Sequence, residues 1–219
     1  MVTYDSIMSN ATVNAYIRKA DQALSAQGFT EHSFAHVGRV SQISGYILEV
    51  MGADAHQVEL VRIASYLHDI GNLVNRVDHS QSGAVMAERI LSDMGMGAED
   101  VATVVAAIGN HDEGSGVPID SVSAALILAD KSDVRRSRVR NPDNMNFDIH
   151  DRVNYSVTES GLEINDDKTE ITLNLTIDTA YGSVMDYFEI FLGRMILCRK
   201  AAEKLGLRFR LCINGQQLI

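Results

Sequence analysis

The chain has 219 residues, 46% of them hydrophobic and 22% charged, which excludes a disordered chain and suffices for a core without disulfide or structural metal. A formal charge of −10 argues against duplex nucleic acid or an anionic membrane as partner, and two cysteines, Cys198 and Cys212, make no disulfide framework. No apolar run approaches the ~18 residues that span a bilayer, and the opening Met1-Val2-Thr3-Tyr4-Asp5 lacks a secretion-signal pattern, so the cytosol is the expected compartment.

Helical periodicity governs the chain up to about residue 145. It predicts a helix over residues 10–27, closed by Gly28, and a second over 30–51, stopped by Gly52. A third starts at the N-cap Asp54, carries Val61, Ala64 and His68 on one face, and ends by Gly71. Further helices are expected over 79–94, 98–111 and 119–136, the last preceded by Pro118. After Pro142 the apolar period becomes two: Val153, Tyr155 and Val157, then Leu162 and Ile164, then Ile171, Leu173, Leu175 and Ile177. Glu159-Ser160-Gly161 and Asp166-Asp167-Lys168 read as turns. A long helix over 181–205 follows, then a strand through Leu207, Phe209, Leu211 and Ile213. The expected fold is mainly α: an all-helical domain over residues 1–145 and an α+β subdomain over 146–219, a small antiparallel sheet covered by one helix. The helix stripe Val184, Phe188, Phe191, Met195, Cys198, Ala202 and Leu205 suits packing on that sheet; a homodimer seam is the second reading.

Chemistry concentrates on the seven histidines, most of them beside acidic residues at helix ends or in short loops. His36 precedes His68-Asp69; Asp78-His79 and His111-Asp112-Glu113 follow, then Asp130. Imidazole and carboxylate without cysteine suit iron, manganese, zinc, nickel or cobalt and exclude a thiolate zinc site. An aspartate can bridge two ions while each histidine binds one, so this set suits a dinuclear centre. His56 reads as a surface residue and His150 as part of a linker. His32, one turn before His36, is open between ligation, substrate contact and merely flanking the site.

The order His36, His68-Asp69, Asp130 resembles the H…HD…D pattern of the HD-domain metal-dependent phosphohydrolases. The detail resembles their HD-GYP branch. His68-Asp69-Ile70-Gly71-Asn72 is similar to HDIGK. His79 with Gly83, then Ile108-Gly109-Asn110-His111-Asp112-Glu113, is similar to that branch's next histidine and its IxxHHE. Gly114-Ser115-Gly116-Val117-Pro118 is similar to GSGYP. The likeness covers about residues 30–135. Departures are Asn72 for lysine, Asp112 for the second histidine and Val117 for tyrosine, which weigh against cyclic-dinucleotide hydrolysis. The resemblance implies one metal on His36, His68, Asp69 and Asp130, and a second on Asp69, His79 and His111.

Residues 131–140 carry five basic and one acidic side chain, a net +4 against −14 elsewhere. They read either as a solvated helix end or as a phosphate clamp of Lys131, Arg135, Arg136 and Arg138, with His32 and Asn72 as further substrate contacts. The expected activity is hydrolysis of a phosphate ester or phosphoanhydride of a small, nucleotide-like molecule by metal-activated water. Asp69 orients the nucleophile, and Asp112 or Glu113 protonates the leaving oxygen. A metal-stabilised regulatory module and a mixed-valent di-iron oxygenase are the alternatives.

Overall fold

A computed structural model describes residues 2–140 and 149–219 of the protein. Helices α1 (Tyr4–Met8), α2 (Ala11–Ala26), α3 (Phe34–Met51), α4 (Ala55–Leu67), α5 (His79–Asp93), α6 (Ala98–Gly109) and α7 (Ser121–Ser132) come first. Then come α8 (Ile149–Ser156), β1 (Val157–Ile164), β2 (Glu170–Ile177), α9 (Val184–Lys204), β3 (Arg208–Ile213) and β4 (Gln216–Gln217). The punctuation in the sequence works as the sequence predicts. Asp54 caps α4 by accepting from the Gln57 amide at 2.8 Å, and Gly52 ends α3 with a left-handed φ of 84°.

The central element is α7, whose residues from Val122 to Ser132 are all buried. It packs on α3, α4 and α6 and, across the fold, on α9. The expected boundary at residue 145 falls outside the described residues. One core cluster nevertheless runs from Leu126 and Leu128 through Val153 and Ile171 to Phe191 and Leu211, so the C-terminal third is packed into the helical part. Phe191, Met195, Cys198 and Ala202 of the α9 stripe are buried within the chain, and α9 packs on α7 more than on the strand β3 that follows it.

Several expectations are corrected. The helix expected over 30–51 starts at Phe34, where the Ser33 hydroxyl caps it, and leaves His32 in the preceding loop. The helix expected to 136 stops at Ser132, because the Ser132 hydroxyl bonds back to the Ala129 carbonyl and Val134 turns into the core. Residues 153–156 are helical rather than extended: Val153 and Ser156 are buried, and Asn154 donates to the His150 carbonyl one turn back. His150 therefore lies on α8, not in a linker. Glu159-Ser160-Gly161 makes no turn; β1 runs through it with a register shift between Val157 and Glu159. Arg39 holds the Ser160 carbonyl at 2.8 Å, and the Ser160 hydroxyl donates to the Ser132 carbonyl at 2.5 Å, pinning the strand to the end of α7.

The sheet has order β1-β2-β3-β4 and is mixed, not antiparallel: β2 and β3 run parallel. A parallel neighbour needs a crossover, and α9 is that crossover. The turn over 166–168 forms as expected, with Lys168 at φ 53°.

Candidate metal centre

Six side chains converge where α3, α4, α5, α6 and α7 meet, and all six are buried: His36, His68, Asp69, His79, His111 and Asp130. His36 comes from α3, His68-Asp69 from the end of α4, and Asp130 from the last turn of α7. His79 opens α5 and His111 follows α6. Close backbone approach brings His79 in. A Cβ on Gly71 would lie 2.0 Å from the His79 carbonyl oxygen and 2.4 Å from the Gly83 nitrogen, so only glycine lets α5 seat against the segment after Asp69.

The ligand atoms fall into two groups around Asp69. His68 Nε2 is 3.2 Å and His36 Nε2 3.5 Å from Asp69 Oδ2, and His36 Nε2 is 3.4 Å from Asp130 Oδ1. The other oxygen, Asp69 Oδ1, is 3.5 Å from His79 Nε2 and 4.0 Å from His111 Nε2, and these two nitrogens are 3.2 Å apart. Nitrogen and oxygen ligands sit about 2.0–2.2 Å from an ion such as zinc, which puts neighbouring ligand atoms about 3–3.6 Å apart. The spacings around His36 fall within that range and those around His79 and His111 run from 3.2 to 4.0 Å; two groups, His36 with His68 and Asp130, and His68 with Asp69 and His111, could each hold an ion.

Each histidine is held from behind through Nδ1. His68 faces the Ser65 carbonyl at 2.7 Å, His111 the Ile108 carbonyl at 2.7 Å, and His79 the Arg76 carbonyl at 3.1 Å. His36 alone has a carboxylate behind it, Asp133 Oδ2 at 2.7 Å. These bonds fix the tautomer so that all four Nε2 atoms point inward. Asp133 is fully buried and bonded to Arg39 and Arg135 as well, at 3.1 and 2.8 Å.

Charge divides the two groups. Burial opposes protonation of His68, yet the Asp69 and Asp130 carboxylates raise it to about 10. Burial also opposes ionisation of Asp69, but His68 and His36 hold its carboxyl well below the usual range. His111 is lowered well below its ordinary value, and His79 is lowered, chiefly by burial in each case; beside them stand His68 and Lys131 for the first, Arg76 for the second. Both are neutral imidazoles ready to donate a lone pair.

The residues expected to hold substrate are dispersed. Lys131 and Arg138 border the ligand set together with His32. Arg135 and Arg136 do not: with α7 ended, they turn to a separate surface depression. Arg135 pairs with Asp133 and Glu31, and Arg136 with Asp178 while its guanidinium lies 4.6 Å over Tyr155. Asn72 donates to Asp69 Oδ1 at 2.9 Å, so it orients the shared aspartate rather than the cavity. His32 stands edge-on to His36 at 5.4 Å, outside the two ligand groups. Glu113 is clamped between Lys131 at 2.6 Å and Arg194 at 3.0 Å. Although burial works against it, these cations keep its carboxyl far below the usual range, so it is a poor proton donor. Asp112 Oδ1 lies 3.9 Å from His79 Nε2. His56 is exposed and paired with Asp100, as a surface residue should be.

Three contributors have no clear sequence signal. Arg76 Nη1 reaches His79 Nε2 at 3.3 Å, and Arg194 arrives from α9, more than sixty residues beyond the last ligand. Asp133 lies three residues after Asp130, and only the early end of α7 turns it back to His36.

A protein of Methanocaldococcus jannaschii described as uncharacterized is 24% identical over 189 aligned positions, which cover 75% of this chain and 72% of the relative. Residues 33–135 match the family model of the HD domain, and that span contains all six ligand residues. The described helices include none long and apolar enough to cross a membrane. Helical fold, ordered histidines and aspartates, and family match agree that residues 33–135 are an HD domain, the domain of the HD metal-dependent phosphohydrolase superfamily.

Proposed function

We propose that the protein hydrolyses a phosphate ester of a small molecule at a dinuclear centre, with His36, His68, Asp69 and Asp130 holding one ion and Asp69, His79 and His111 the other. The observation that carries this reading is the division of Asp69, with Oδ2 turned to one pair of histidines and Oδ1 to the other. When bound, divalent ions there supply Lewis acidity that activates water and offsets charge at phosphorus.

The chain's own groups do the rest. Arg76, Lys131, Arg138 and Arg194 border the ligand set, and such cations favour a phosphate dianion over an uncharged substrate. Lys131 also pairs with Asp130 at 2.8 Å, holding that carboxylate toward His36. Asn72 fixes the rotation of Asp69. Asp112 Oδ1, 3.9 Å from His79 Nε2, is the remaining candidate to pass a proton to the leaving oxygen. The ring of cations gives an oxygenase no evident use, and phosphate hydrolysis is the better reading.

The test is metal content and phosphate release on the same sample. Protein reconstituted with iron, manganese, zinc, nickel or cobalt should bind two ions per chain and release phosphate from a panel of esters. Two bound ions without turnover of any ester would leave a metal-stabilised regulatory module. No bound metal would overturn the centre itself.

A further inference from the structure

A cavity of about 120 Å³ opens directly off the ligand set and shares His32, Arg76, Arg138 and Arg194 with it. Its other walls come from residues 28–30 and from α8 and α9, among them Thr30, Asp151, Asn154 and Phe191. We infer that this cavity receives the leaving group and selects phosphomonoesters of small, hydroxylated alcohols over nucleotides. The inference rests on the phosphohydrolase reading above and narrows it.

Position comes first. Arg76, Arg138 and Arg194 line both the cavity and the recess at the ligand set, so an anion held by them lies next to both. Size comes second. A cavity of about 150 Å³ holds benzene, so a space of about 120 Å³ takes a group no larger than a few carbons with their hydroxyls. A ribose with its base is far larger.

Lining chemistry comes third. Thr30 and Asn154 offer a hydroxyl and an amide oxygen, which pair with alcohol groups, while the Asn154 amide nitrogen donates to the His150 carbonyl. The deeper of the two aromatic rings is engaged already, and the outer one, Phe29, is 40% exposed. Arg194 lies 4.4 Å over Phe191, which is 1% exposed, and Arg76 lies 5.8 Å over Phe29 at the outer end. A nucleobase needs an open aromatic face to stack on, and the deep ring has none. The stacked arginines are instead held ready for the phosphate.

The C-terminal third thereby acquires a task. It closes the substrate cavity with α8 and α9 and supplies Arg194, so specificity lies partly outside the span shared with the family.

The experiment uses the full chain with both metals loaded. kcat/KM is measured for glycerol phosphate, ribose 5-phosphate and a nucleoside 5′-monophosphate. The expected order is glycerol phosphate first, with the nucleotide about tenfold or more below it. Equal or better turnover of the nucleotide overturns the inference and leaves the phosphohydrolase reading standing. No turnover of any ester overturns both. A second measurement addresses the wall itself. In Asn154→Trp, calorimetry should show glycerol phosphate binding weakened about tenfold or more and inorganic phosphate binding within about twofold of wild type. Equal weakening of both, or of neither, overturns the assignment of the cavity. If that variant does not fold, the size series on the unaltered protein decides.

Discussion

His36 is braced from behind by a buried carboxylate, whereas His79 and His111 are braced by neutral carbonyls. The side with His36 and His68 lies between two carboxylates, Asp69 and Asp130, and has no exposed ligand. The other side has only Asp69 Oδ1 and the half-buried Asp112, and Arg76 presents a cation 3.3 Å from its nitrogen. Coulomb's law ranks the two: a divalent ion gains more from the carboxylate-rich side and is opposed by a guanidinium on the other. On the proposed dinuclear reading, the carboxylate-rich position should hold its ion more tightly than the one beside Arg76.

The largest expected effect is at the one residue common to both sides. Asp69→Ala should abolish phosphate release and loosen both ions, whereas His79→Ala should loosen only the second. Elemental analysis after gel filtration reads this directly. Equal loss of both ions in the two variants would break the division of the centre.

Asp133→Asn should act on the first side alone. Asparagine keeps a hydrogen-bond acceptor for His36 Nδ1 but removes the charge that strengthens that bond. Loss of such an outer partner typically costs about 10–100-fold in metal affinity. A competition titration with a chelator should show this for the tighter ion, with the weaker ion unchanged. An effect on both would mean that Asp133 holds the fold rather than the ligand.

How far the sequence carries differs between the two regions of the chain. The convergence of the six side chains was legible because adjacency, spacing and order survive without tertiary information: His68-Asp69, His79 with Gly83, and Asp130 at a helix end are all local patterns. Helix limits at Gly28, Gly52 and Asp54 were legible for the same reason. The basic run was not. Its +4 charge is real, but Arg135 and Arg136 are consumed by Asp133, Glu31 and Asp178, partners known only once the chain is folded. The parallel pairing of β2 with β3 was likewise hidden, since alternation fixes which face of a strand is buried but not its neighbour's direction. Residues 153–156 misled because Val153 and Tyr155 alternate as in a strand while serving two different contacts on a helix.

The phosphate contact expected of the basic run moves to α9. Arg194→Ala should lower kcat/KM about tenfold or more with metal content unchanged, the loss expected for one charge-assisted bond to phosphate. Arg136→Ala, whose side chain is spent on Asp178 and the Tyr155 carbonyl, should leave kcat/KM within about twofold. The reverse ranking would restore the clamp expected from sequence and remove α9 from the site.

The smallest signal is a single proton, and it separates the two sides without any mutation. In the metal-free protein His68 is held near 10, and His36 is raised in the same direction: burial and Arg138 oppose its protonation, but bonds to Asp130, Asp133 and Asp69 outweigh them. At pH 8 the pair therefore carries at least one proton that an ion at Nε2 must displace. His79 and His111 are lowered and carry none. Filling the first position should release about one proton and filling the second none, measured by calorimetry in buffers of different ionisation enthalpy. The sign for stability follows from the same shift. A histidine raised above its unfolded value of 6.5 stabilises the metal-free fold fully below that pH and loses the contribution as pH rises through about 10. Metal-free protein should thus lose thermal stability between those limits, while the metal-loaded protein, whose His68 no longer titrates there, should not. If both forms show the same decline, His68 is not a ligand.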